Sequence, residues 1–214
     1  MENLLPKIDE LLEGSTTDIV MLSTAQLHWS SAVGVWSVAQ CVGHVVMPLE
    51  LYFEKMGPLL KQRERFQHPD TPYKASMFGR FLIKFVDPES TRKVKAPKMF
   101  VPRDSHPADR RQRFIDHHLQ LKEYITSSQG CNLTRMRFPS PVSSLLRLNQ
   151  GDALIIMTQH GIRHYQQMLR LTREAGLPSG WGRFVEFPEV LRRVPRIWAA
   201  AGGLSVCVRR FTGW

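Results

Sequence analysis

Apolar residues recur every three or four positions in four long segments of the chain, which predicts four helices. The first segment runs from about Glu2 to Leu27, and we expect a break near Gly14. The second begins at Ser37, which forms a capping-box pattern with Gln40, and extends toward Arg65. Pro48 lies inside this second helix and is expected to bend it, because proline removes one backbone hydrogen bond.

The third predicted helix follows the Ser105–Pro107 start signal and ends near Ser127. The fourth runs from about Asn149 to Ala175, with Gly176 as its C-terminal cap and Pro178 just beyond. Each has an inward stripe at helical spacing. The stripe of the third comprises Phe114, His118, Leu121 and Ile125, and that of the fourth comprises Ala153, Met157, His160, His164, Met168 and Leu171.

A proline-containing crossover joins the second and third helices between Phe66 and Ser105, with a short helix expected around Phe78–Phe85. Long crossovers of this kind join parallel neighbours in helical bundles. Strand signals are weak throughout. The pattern therefore predicts an all-α four-helix bundle over residues 1–178, followed by a C-terminal extension, 179–214, whose Gly, Pro, Arg and isolated Trp residues indicate no regular structure.

Composition narrows the classes of function. Three scattered cysteines do not form a disulfide framework, and no apolar run approaches the about 20 residues that span a bilayer. We therefore expect a cytoplasmic protein with no membrane partner. A formal charge of +10 attracts phosphates, but the basic residues are dispersed and no recognition motif frames them, so nucleic acid is not an expected partner.

The chemistry indicated by the sequence comes from histidines. His160 and His164 are one helical turn apart, so their rings can converge on one point, and imidazole is a ligand for zinc, nickel, iron or copper. His44 lies in a second helix that is apolar almost all round. Because an unsatisfied buried polar group costs about 1 to 3 kcal/mol, three inward-facing histidines are most simply satisfied by a shared cation.

Three segments in order, "WSVAQCVGHV", "KVKAPKMFVP" and "QHGIRHYQQMLRL", resemble the DinB-like superfamily of metal-binding four-helix bundles over roughly residues 1–178. The resemblance implies that His44, His160 and His164 are the metal ligands. It also implies a divalent transition metal, zinc first with nickel or iron as alternatives, and often a homodimer. Pro48 departs from the pattern, because it frees the carbonyl of His44 and can retilt that ligand.

Superfamily members include thiol-dependent transferases, and three neutral imidazoles leave coordination positions open for a thiol, another small substrate or water. We therefore expect a metal-dependent S-transferase acting with a bacillithiol-type or mycothiol-type thiol, or a hydrolase. No catalytic side chain is identified. His118 and Gln40 are candidates for orienting the ligands, although a core position and the capping box, respectively, explain them as well. The alternative is a non-catalytic module with a structural metal or a histidine core, binding a partner such as nucleic acid through its basic surface.

Overall fold

The computed structural model describes residues 3–68, 71–90, 92, 95–102 and 110–179, and these are predominantly helical. The helices in this part are α1 (Leu4–Asp18), α2 (Thr24–His28), α3 (Val38–Lys61), α4 (Met77–Phe85), α5 (Arg110–Ser127) and α6 (Gln150–Thr172). Two single 3-10 turns occupy Arg63–Phe66 and Lys98–Phe100, and one antiparallel hairpin comprises β1 (Arg137–Pro139) and β2 (Arg147–Asn149). The predicted all-α class is confirmed.

The four long helices pack as a bundle, in which α3 and α1 each contact both α5 and α6. Most of their inward positions are apolar and buried, as the helical spacing predicts. Representative core side chains are Ile8, Leu11, Val42, Met56, Phe114, Leu121, Leu154 and Met157. None of the described helices is both long and apolar enough to cross a membrane.

The break predicted near Gly14 is wrong. Helix α1 continues through Gly14 to Asp18, and α2 starts at Thr24, after five intervening residues. Gly14 serves close packing instead, because a Cβ at this position would collide with the phenol of Tyr165. The start of the second helix, α2, is marked in the sequence itself, since Ser23 and Gln26 form a complete capping box there.

Helix α3 begins as predicted, with a complete capping box between Ser37 and Gln40. It passes through both Pro48 and a second proline, Pro58, and ends at Lys61 rather than at Arg65. Pro48 is buried in the bundle, so packing of the flanking turns holds the helix together across the missing hydrogen bond.

The crossover contains the predicted short helix, α4, one residue longer at its start. The hairpin was not predicted. Its strands have only three residues each, which is too short for an alternating pattern to stand out. The four stripe residues of α5 are all buried as predicted, whereas its expected start at Ser105–Pro107 lies outside the described residues.

Helix α6 opens with a capping box between Asn149 and Asp152 and ends at Thr172, before the predicted end at Ala175. Gly176 is not its cap, since Arg173 occupies the C-cap position. Gly176 instead lies against the Trp29 indole, 3.0 Å from where its Cβ would be. The expected extension lies outside the described residues from position 180 onward, so the boundary at 178 stays a prediction.

Candidate metal centre

His44 is oriented by the crossover. Its side chain is buried on α3, and its Nδ1–H donates a hydrogen bond of 2.7 Å to the carbonyl oxygen of Phe100. Phe100 ends the 3-10 turn within the "KAPKMFVP" segment. With the proton held on Nδ1, the unprotonated Nε2 is the nitrogen available for coordination.

Helix α6 supplies the other two histidines, one turn apart. The rings of His160 and His164 have centroids 4.6 Å apart and lie nearly perpendicular. His164 is buried, and its Nδ1–H donates to the Gln167 side-chain oxygen at 3.0 Å. Gln167 therefore fixes the tautomer of His164 as the Phe100 carbonyl fixes that of His44, and leaves Nε2 for a metal.

The three side chains converge on one point between α3 and α6. Each offers a ring nitrogen, and these nitrogens lie within 4.8 Å of one another. Nε2 of His44 is 3.1 Å from Nε2 of His160. Two nitrogens bound tetrahedrally to zinc at about 2.0 to 2.1 Å are about 3.3 Å apart, so this pair is already close to a coordinating separation.

Electrostatics keeps the three rings neutral. Burial lowers the pKa of His44, and burial together with the neighbouring His44 ring lowers that of His164 to about 3. The pKa of His160 is held well below its usual range by desolvation and then by the His164 and His44 rings. Neutral imidazole is the form that binds a metal, so near pH 7 few protons compete with it.

Trp36 forms one wall of the cluster, and sequence reasoning did not assign it there. Its indole centroid is 4.8 Å from the His44 ring and 6.4 Å from the His164 ring. Trp36 precedes the N-cap of α3, so the capping box at Ser37 sets the position at which the chain delivers this side chain. An aromatic wall lowers the local water content and strengthens electrostatic interactions at the cluster.

Gln40 and His118 were the two residues predicted to orient the metal ligands, and the structure gives each of them a different set of contacts. The Gln40 side-chain oxygen accepts the Ser37 amide hydrogen in the capping box, at 2.9 Å. His118 is fully buried, its Nδ1–H donates to the Phe114 carbonyl, and its Nε2 lies 2.5 Å from where a Cβ on Gly161 would be. The cluster of three converging ring nitrogens does not include His118, although its ring is near enough to lower the pKa of His160.

Arg163, next to His164, anchors the crossover. Its guanidinium donates to the backbone carbonyls of Asp87, Ser90 and Arg92 at 2.5, 3.0 and 2.7 Å. The crossover is thus held at Arg163 on α6 and at His44 on α3. Neither contact could be predicted from the sequence, because any residue type can supply a backbone carbonyl.

The contact of Gln167 with His164 could have been predicted, since Gln167 lies one turn from His164 on the same helix.

Comparison with known proteins identifies a family. A model of the DinB superfamily matches residues 12–168, which include all three clustered histidines. No curated protein and no solved structure gives a significant match. The family assignment therefore rests on the match to the bundle.

Proposed function

Because this chain belongs to the DinB superfamily, we propose that it binds one divalent transition metal through His44, His160 and His164 and acts on a small thiol. The reaction is transfer to or from that thiol, with hydrolysis as the alternative at the same site. Zinc is the first candidate for the metal, with nickel or iron next, since imidazole ligates all three.

One observation carries the proposal, namely the convergence of three histidine ring nitrogens from two helices within 4.8 Å. Two of the rings have their other nitrogen engaged, by a backbone carbonyl and by the Gln167 amide oxygen. Hydrogen bonds of this type at the far nitrogen are usual for metal-bound histidines, because they fix ring orientation.

The residues around the cluster favour chemistry over a purely structural role. Structural zinc sites normally use four protein ligands, whereas catalytic sites use three and keep an open position. A metal held there would supply Lewis acidity, which favours the deprotonated form of a thiol or water. Trp36 would shield one side of the site and leave fewer routes for solvent.

Metal content of the purified, untagged protein tests the site. We expect about one transition metal per chain by mass spectrometry in the wild type. The His164→Ala variant should lose stoichiometric metal, because it keeps only two of the three imidazole ligands. His117→Ala is the matched control. His117 lies on α5, where its ring nitrogens face the Arg113 carbonyl and the Glu50 carboxylate, outside the cluster.

Retention of one metal per chain in His164→Ala would refute the assigned ligand set. Equal metal loss in His117→Ala would show that the effect comes from altered folding, and circular dichroism of both variants separates these cases.

Cobalt-loaded protein tests whether the open coordination position binds a thiol. Adding 2-mercaptoethanol or cysteine should produce thiolate-to-cobalt absorption in the near ultraviolet if the open position accepts sulfur. The same addition to cobalt-treated His164→Ala should not. A wild type that binds cobalt but shows no change with either thiol would favour hydrolysis over thiol transfer.

A second candidate function has its own observation. At 3.1 Å, His44 and His160 can also satisfy each other by a hydrogen bond, in which His160 donates to the unprotonated Nε2 of His44. The histidines would then be a polar core cluster in a non-catalytic module. A wild type that folds, holds no metal and takes up neither zinc, nickel nor iron on dialysis would support this function.

A further inference from the structure

Helix α4 presents an apolar stripe to solvent. Met77, Phe81 and Phe85 follow one another at four-residue spacing and are 82%, 61% and 39% exposed. The ring of Phe81 stacks between those of Phe78 and Phe85, with centroids 6.3 and 6.1 Å away. Contiguous exposed apolar side chains of this size mark an interaction site in a soluble protein.

The opposite face of α4 is tied to the bundle, so the stripe cannot turn inward. Gly79 packs so closely on the Asp152 carboxylate that a Cβ would collide with it. The same buried carboxylate accepts hydrogen bonds from the Ser76 amide and from the Tyr73 hydroxyl, the latter at 2.6 Å. The outward stripe is therefore a consequence of how α4 docks on α6.

The hairpin beside α4 also has one buried face and one exposed face. Phe138 and Leu148 are paired across the strands and buried, whereas Arg137 and Arg147 lie on the other, exposed face. The turn between the strands exposes three more apolar side chains, Val142, Leu145 and Leu146, of which Leu145 is 91% exposed.

The hairpin and α4 form one continuous region, which we call the α4–hairpin surface and define as residues 73–86 and 132–149. Helix α4 packs on β2. Just before the helix, the Lys74 amide donates to the Thr134 hydroxyl at 3.0 Å, and the Asn149 side chain donates to the Lys74 carbonyl at 3.0 Å.

Charge on this surface has one sign. The two segments contain six basic residues and no aspartate or glutamate, and all six basic side chains are exposed: Lys74, Arg80, Lys84, Arg135, Arg137 and Arg147. The nearest acids in sequence are Asp70, Asp87, Glu89 and Asp152, and of these the Asp152 carboxylate is fully buried beneath α4. The partner must therefore offer negative charge together with apolar material.

We propose that the α4–hairpin surface docks on an anionic phospholipid bilayer. Lipid phosphates would meet the arginines and lysines, while Met77, Phe81, Phe85 and Leu145 would enter the boundary between headgroups and acyl chains. A second copy of the chain fits poorly, because a two-fold contact would set six cations against six. Duplex nucleic acid, whose bases are stacked on one another, would satisfy the cations and leave the exposed apolar side chains in water.

The proposal revises the sequence-based expectation that no membrane is involved. That expectation rested on the lack of a membrane-spanning run, but peripheral docking needs only exposed apolar side chains and cations on one rigid surface. It does not depend on the metal, so the two proposals can fail separately.

Vesicle flotation of the full chain tests the proposal. We expect binding to vesicles of phosphatidylcholine with 30% phosphatidylglycerol and none to pure phosphatidylcholine. The double variant Arg80→Glu with Lys84→Glu should bind at least about tenfold more weakly, because two cations that attract the anionic bilayer become anions that it repels. Met77→Ser with Phe81→Ser should weaken binding about as much without changing the charge.

Matched controls separate the surface from the net charge of +10. Arg170→Glu with Arg173→Glu makes the same charge change at the exposed end of α6, and Val33→Ser removes an exposed apolar side chain in the α2–α3 loop. Both should bind like the wild type. The proposal is overturned if the controls lose binding equally, if the α4 variants bind normally, or if the wild type binds only duplex DNA. It is also overturned if the wild type sediments as a dimer that Phe81→Ser dissociates.

Discussion

At the scale of single residues, the contacts behind the histidines matter as much as the histidines. Gln167 holds His164 through Nδ1, so Gln167→Ala frees the ring to rotate. We expect the affinity for zinc to fall about tenfold, the low end for loss of such a supporting hydrogen bond. Gln166→Ala, at the exposed neighbouring position, is the control and should leave affinity unchanged in a competitive chelator titration.

His118 predicts how stability depends on pH. Burial lowers its pKa in the folded protein to about 4, so the unfolded chain, with a pKa near 6.5, takes up the proton first. Stability should therefore fall as pH drops from about 6.5 toward 4, by up to about 1.4 kcal/mol per pH unit for this residue.

Urea denaturation of the metal-free protein at pH 7.5 and 5.0 measures this dependence. The difference between the free energies of unfolding at these two pH values should be smaller in His118→Gln, because the glutamine side chain does not titrate in this range. An unchanged difference would mean that His118 is protonated inside the fold or is not buried as described.

At the scale of elements, one carboxylate joins three local structures. Asp152 completes the capping box of α6 and accepts hydrogen bonds from the Tyr73 and Ser76 positions ahead of α4. Gly79 allows this approach, so Gly79→Ala should destabilise the fold by about 1 to 3 kcal/mol through overpacking.

Denaturant unfolding checks the Gly79 prediction, with Met77→Ala in the same helix as the control. Met77 is exposed, and its truncation should change stability by less than about 0.5 kcal/mol. A more stable Gly79→Ala would contradict the prediction, because it would show that the higher helix propensity of alanine outweighs the contact with Asp152.

At the scale of the whole molecule, the cluster joins α3 to α6, so a bound metal would link two helices. Binding to the folded state alone stabilises it by about 2.7 kcal/mol at a free metal concentration one hundred times the dissociation constant. Zinc should thus raise the melting temperature of the wild type in a thermal scan, whereas His44→Ala should show no rise. The homodimer expected from the family resemblance stays a prediction, and the cations of the α4–hairpin surface disfavour pairing through that surface.

Sequence by itself determined the all-α class, the start of α3, the inward stripes of the long helices and the three candidate ligands. These features are local, since a capping box or a helical spacing depends only on residues that are a few positions apart in the sequence. His160 and His164 share a face because they lie one turn apart, and that needs no tertiary information.

Only the tertiary structure decided how His44 meets the pair on α6, since those residues are more than one hundred positions apart. It also revealed the Phe100 carbonyl behind His44, the Trp36 wall and the contact of Gly14 with Tyr165. The physical reason is the same in each case. Backbone carbonyls have no residue signature, and close packing between distant segments depends on how helices are placed, which local periodicity does not encode.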